Sequence, residues 1–109
     1  MAILHVDNEQ QLIEESQKGK MIFLNFWAPW CGPCNMFANV LQEIDEDLQQ
    51  HVQIVKVNVD EAQALAAGFE VQGIPHSRLL IGNAMSEPIV GYVPYEQLKD
   101  MLQAQIDAR

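Results

Sequence analysis

Apolar residues fall along this chain in two rhythms. Short runs with nearly every position apolar alternate with longer stretches in which apolar positions return every three or four residues. Met21-Ile22-Phe23-Leu24-Asn25-Phe26-Trp27 is the clearest short run. It is apolar on both faces, as a strand is when helices cover both sides of its sheet, and it predicts a central strand. Val52, Ile54, Val55, Val57 and Val59 predict a second central strand over residues 52–59. Residues 3–6 form a short strand candidate, Leu79-Leu80-Ile81 a strand core before a turn at Gly82-Asn83, and residues 87–91 a last strand. Between these lie the helical patterns. Phe37, Val40, Leu41, Ile44 and Leu48 share one helix face, while Glu43, Asp45, Glu46 and Asp47 occupy the others. Asp7 or Asn8 caps a helix carrying Leu12 and Ile13 that ends near Gly19, and Asp60 caps an Ala-rich helix that stops at Gly68. Pro94 opens a final helix with Tyr95, Leu98, Met101, Leu102 and Ile106 facing inward. Strands and helices therefore alternate, which predicts an α/β layer structure with parallel crossovers early and an antiparallel hairpin at the end.

Composition narrows this picture. The 109 residues carry no repeat, low-complexity tract or Pro/Gly/Ser linker, and are read as one domain over residues 1–109. Hydrophobic residues make up 49% of the chain, enough for a core without staples. Fifteen acidic residues against six basic ones give a formal charge of −9. That sign repels phosphate backbones and anionic membranes, so neither nucleic acid nor a membrane surface is expected as a partner. No apolar run approaches the roughly 20 residues of a membrane helix. The start, Met1-Ala2-Ile3-Leu4-His5-Val6-Asp7, lacks the basic and apolar regions of a secretory signal, which makes the cytoplasm the expected compartment.

The two cysteines, Cys31 and Cys34, stand in Trp30-Cys31-Gly32-Pro33-Cys34 between a central strand and a helix. A cysteine at a helix N-terminus meets unpaired N–H groups and the positive end of the helix dipole, which lower its pKa. Cys31 is then the nucleophile that attacks a disulfide, and Cys34, one turn deeper, resolves the mixed disulfide. Gly32 leaves room for an incoming backbone, and Pro33 stiffens the loop and suits the first helical turn. Three other readings compete. Zinc would need further ligands, and His5, His51 and His76 have no ligand spacing. Plain core cysteines do not account for the flanking Trp, Gly and Pro. A bridge closing so short a loop contributes little as a brace.

At these residues the chain resembles the thioredoxin family, over essentially its whole length. Phe26-Trp27-Ala28, Lys56-Val57-Asn58-Val59-Asp60, Gly73-Ile74-Pro75 and Gly91 match the family as well. The resemblance implies a thioredoxin fold, a central mixed five-stranded sheet flanked by four helices. It implies a monomeric thiol–disulfide oxidoreductase that reduces protein disulfides, holds no cofactor or metal, and is recharged by an NADPH-dependent flavoprotein, thioredoxin reductase. It makes Cys31 the attacking and Cys34 the resolving thiol. It assigns Trp30, Gly32, Pro33, Ile74, Pro75, Val90 and Gly91 to an apolar rim that grips clients, with a cis bond before Pro75. Read alone, Pro75 is a plain loop proline. The alternative within the same fold is an adaptor or chaperone-type module that uses the groove to hold clients. A damaged cysteine pair or an appended repeat would mark that alternative, and the sequence shows neither.

Several positions depart from the family. Asn25 stands where the family has a buried aspartate that helps move the proton of the second cysteine, and Asn cannot titrate. Lys56, the usual partner of that aspartate, is left to reach solvent or another acid. His76-Ser77-Arg78 brings three polar residues into a strand, where an inward Arg needs a partner. His76 is read either as a strand-end histidine or as a replacement titrating group. Asn35 removes a cation after Cys34, Asn39 removes a helix-kinking proline, and Tyr92 either joins the rim or caps the core.

Overall fold

The computed structural model describes residues 3–109; the first two residues of the N-terminal segment read above lie outside it. Ten elements follow one another: β1 (Leu4–His5), α1 (Glu9–Ser16), β2 (Met21–Trp27), α2 (Gly32–Leu48), β3 (Val52–Asn58), α3 (Gln63–Gly68), β4 (His76–Ile81), β5 (Ala84–Met85), β6 (Ile89–Val90) and α4 (Tyr95–Asp107). The sheet runs β1-β3-β2-β4-β5, with β6 added beside β4. β2 has the bounds its apolar run predicts. It lies between parallel β3, with Phe23 opposite Ile54, and antiparallel β4, with Phe23 opposite Leu79.

Alternation along β2 divides the core. Met21 and Phe23 pack with Val52 and Ile54 against Phe37, Leu41 and Ile44 of α2 and Leu98 and Leu102 of α4. Ile22, Leu24 and Phe26 face the other way, with Val55 and Val57, onto Leu12 of α1 and Leu65 and Ala66 of α3. The molecule is thus three layers, helix pair, mixed sheet and helix pair.

Some expectations change. The expected last strand is realised as β6, shortened to Ile89–Val90, and a further two-residue strand, β5, precedes it, so the sheet has six strands among the described residues. Gly82, at φ +58°, lets a two-residue turn bring Ala84 opposite Ile81. Pro88 interrupts the return strand, and the chain then re-pairs further along β4, Ile89 opposite Ser77 and Val90 opposite His76. Of the two candidate caps for α1, Asn8 is the one used, its side chain accepting the Gln11 N–H at 2.9 Å. The helix ends at Ser16. Asp60 does not cap α3, which starts behind Ala62 with no side-chain cap. Met101 is exposed rather than inward, and Asp45, placed by its charge on an outer face, is buried at the flank of the α2 stripe; Ile13 of α1 is exposed while Leu12 beside it is buried.

Candidate active site

The redox pair is positioned by the junction of β2 and α2. After Trp27 the chain turns through Ala28-Pro29-Trp30, and the Cys31 N–H donates to the Ala28 carbonyl at 3.2 Å. Cys31 is the N-cap of α2, and its sulfur accepts the Cys34 N–H at 3.2 Å. Pro33 falls in the first turn, where a missing N–H loses no helical bond. That turn holds no acidic residue, so the positive end of the helix is left to act on the sulfur. Cys31 and Cys34 form a disulfide across a Cα–Cα distance of 5.2 Å. Cys31 keeps 6% of its surface open and Cys34 3%, so both residues are buried and Cys31 is slightly the more exposed. Both pack with Ala28, Trp27, Val59 and Ile74. Among the described residues no group of His, Cys, Asp and Glu is placed to hold a metal ion.

Hydrogen bonds fix the loop from both sides. The Asn35 Nδ2 donates to the Pro29 carbonyl at 3.1 Å, closing the loop onto the first turn of the helix. The Trp30 Nε1 donates to the Asp60 carboxylate at 2.9 Å; Asp60 lies two residues before Ala62, the N-cap of α3. Trp30 is otherwise 69% exposed. Opposite lies the Ile74–Pro75 bond, which is cis, and the Ile74 carbonyl is 3.7 Å from the Cys31 sulfur. The Gly91 N–H donates to the Pro75 carbonyl at 2.7 Å, which joins the two segments of the expected rim. Gly91 has φ +95°, a conformation that favours glycine. Val90 is 64% exposed, Ile74 and Gly91 are half-buried, and Pro75 is buried behind them. Trp30, Gly32, Pro33, Ile74, Val90 and Gly91 thus all keep exposed or half-buried surface. Of the two readings of Tyr92, the packing supports the core one: its ring meets Phe37 edge-on at 6.0 Å, while part of the side chain stays exposed.

The polar positions behind the site form pairs of their own. Asn25 is buried and donates from Nδ2 to the Ser77 hydroxyl at 3.1 Å, its register neighbour on β4. No hydrogen bond among the described residues runs from Asn25 to either sulfur. Lys56, opposite Asn25 on β3, sets its ammonium 4.7 Å from the Trp27 ring centre, and burial lowers its pKa. That ring also meets His5. His76 lies under Phe26 with ring centres 5.8 Å apart, and its Nε2 is buried with no hydrogen-bond partner among the described residues. Burial, and then the positive charge of Arg78, lowers the His76 pKa. Arg78 donates from its two terminal nitrogens to the carbonyls of Ser86 (3.1 Å) and Phe69 (3.3 Å), while its buried Nε has no hydrogen-bond partner among the described residues. The Asn25–Ser77 pair and the Trp30–Asp60 bond were not apparent from the sequence. Each joins residues 30 or more positions apart; the only local sign of the first is Asn25 interrupting an apolar strand, and the second has none.

Comparison with known proteins agrees with this geometry. The sequence model described as Thioredoxin matches residues 2–104. The chain is similar to the thioredoxin of Bacillus subtilis (strain 168), 37% identical over 106 residues, covering 97% of this chain and 100% of that one. It is also similar to the thioredoxin of Haemophilus influenzae, 44% identical over 85 residues, covering 78% and 79% of the two chains. Among solved structures, chloroplastic thioredoxin z superposes with a TM-score of 0.87 at 26% identity, over 100% of this chain and 97% of that one.

Proposed function

This chain belongs to the thioredoxin family and is a protein thiol–disulfide oxidoreductase; from that premise we propose that it runs in the reducing direction, on protein disulfides, in the cytoplasm and as a monomer. The observation that carries this reading is Cys31 at the N-cap of α2, its sulfur receiving the Cys34 N–H at 3.2 Å. In the dithiol form these groups favour the thiolate. The Cys31 thiolate attacks one sulfur of a client disulfide, and the second client sulfur leaves as a thiolate. The Cys34 thiolate then attacks the Cys31 sulfur. The bond to the client breaks, the client is released with two thiols, and the Cys31–Cys34 disulfide remains. Two electrons have moved from the pair to the client. A flavoprotein reductase drawing on NADPH returns them.

Trp30, Ile74, Val90 and Gly91 form the rim that grips the client, with Pro75 setting the Ile74 carbonyl beside the attacking sulfur. Gly32 leaves space for the client backbone. Asn25 and Lys56 stand where the family handles the proton of the resolving cysteine, and an amide at residue 25 alters its pH dependence. Insulin-disulfide reduction with dithiothreitol, and then with NADPH and thioredoxin reductase, tests the reading. Turnover that is abolished by Cys31→Ser supports it. Client binding that persists without either thiol, with no reduction by the intact chain, would favour the adaptor instead. Asn25→Asp should change the profile of rate against pH between about 6 and 9. Superimposable profiles remove Asn25 from proton handling.

A further inference from the structure

The face of the sheet that carries α1 and α3 holds a groove of ≈ 700 Å³, with Leu65, Phe69 and Met85 among its lining. A second depression of ≈ 360 Å³ shares Phe69 and Met85 and adds Ile13 and Leu80. Ile13 is 41% and Met85 53% exposed, so an apolar strip lies open between α1 and the edge strand β5. Four carboxylates stand around the groove: Asp7, Glu9, Glu61 and Glu70. All four are exposed, and among the described residues none is in an ion pair. The one cation in the lining, Arg78, has both terminal nitrogens committed to the carbonyls of Phe69 and Ser86.

Glu70 adds a separate observation. It follows α3 at φ +58°, its N–H donating to Ala67 and the Val71 N–H to Ala66. Helices usually end with glycine in this left-handed position, because a Cβ there is costly. The chain keeps a carboxylate at the groove in a place where glycine would be the more stable choice.

We propose that this groove docks a basic amphipathic segment of a partner protein, its apolar side chains on the Ile13–Phe69–Met85 strip and its lysines or arginines on the carboxylates. Charge complementarity selects the partner, since an acidic or neutral apolar segment would leave four carboxylates facing no cation. Glu61 directly follows Asp60, the acceptor of the Trp30 indole N–H, so a docked partner lies beside the loop that carries Cys31. The proposal concerns binding alone and does not depend on the direction of electron flow.

A synthetic peptide of leucines and lysines, with the leucines on one helix face, serves as the probe for the isotope-labelled, oxidised chain. Amide shifts should concentrate at Ile13, Phe69 and Met85, and affinity should fall as salt rises. Glu9→Gln and Glu70→Gln should each weaken binding about two- to threefold. Glu70→Gly should weaken it to the same extent while raising the melting temperature, which separates binding from folding. The same peptide with glutamates in place of lysines should not bind. Shifts centred on Trp30 and Val90, shifts spread over the whole acidic surface, or affinities unchanged by the Glu9 and Glu70 variants would each overturn the proposal.

Discussion

Asn25 and Ser77 show how one residue depends on another far along the chain. Each is buried, and each gives the other its hydrogen bond. Removing one partner leaves the other desolvated and unpaired, so Asn25→Ala or Ser77→Ala alone should cost about 1–3 kcal/mol. The double variant should cost less than the sum, with a coupling of about 0.5–1.5 kcal/mol in urea unfolding. Strictly additive losses would mean that the pair contributes nothing. His76 gives a pH prediction. Its folded-state pKa is lowered, first by burial and then by Arg78, so unfolding takes up a proton. Stability is fully present above the unfolded pKa of about 6.5 and is lost as pH falls through that value towards the folded one. His76→Leu should flatten this part of the curve, and an unchanged slope would place its origin elsewhere. The Trp-Cys-Gly-Pro-Cys chemistry was legible because all its parts are local. The Asn25–Ser77 bond was not, because 52 positions separate its ends and each residue alone reads only as an interruption.

Among the elements, β2 could be read to the residue, since burial on both faces leaves an unbroken apolar run. β5 and β6 could not, because two-residue strands carry no period, and their pairing is set by Gly82 and Pro88. Asp60 is a related case: a carboxylate before an Ala-rich run looks like a cap, but α3 begins two residues later, behind Ala62, and the Asp60 carboxylate takes the Trp30 indole N–H instead. The start of α2 offers a sharper test. Cys31→Ser and Cys31→Ala both remove the disulfide and both should abolish turnover. A hydroxyl still accepts the Cys34 N–H and a methyl does not, so the Ser variant should be the more stable by about 1 kcal/mol. Equal melting temperatures would show that the cap carries no weight. On the sheet, Phe23→Ala should cost about 3–5 kcal/mol, because Phe23 is fully buried between α2 and β3.

For the molecule as a whole, the charge of −9 acts at a distance that no single contact shows. It should speed encounters with basic clients and slow those with acidic ones. Reduction rates for a basic client should therefore fall as salt rises from about 0.01 to 1 M, where the screening length shrinks from about 30 to about 3 Å. Rates for an acidic client should rise over the same range. Insensitivity in both would mean that electrostatics does not select clients. Composition reveals the sign of this effect but not its arrangement. Four of the carboxylates gather around one groove because the start of α1 and the two ends of α3 line it together, a consequence of topology.

Cys31 is at once the sulfur that trades electrons and the group that closes the first turn of its helix. It stays attached to its own backbone through every exchange, whether bonded to Cys34, bonded to a client or free as an anion. Its lone pairs can go on receiving the Cys34 amide in each of these conditions. The scaffold therefore has nothing to rebuild between one half of the cycle and the next, and a shuttle of this kind can turn over without the coil beneath it opening.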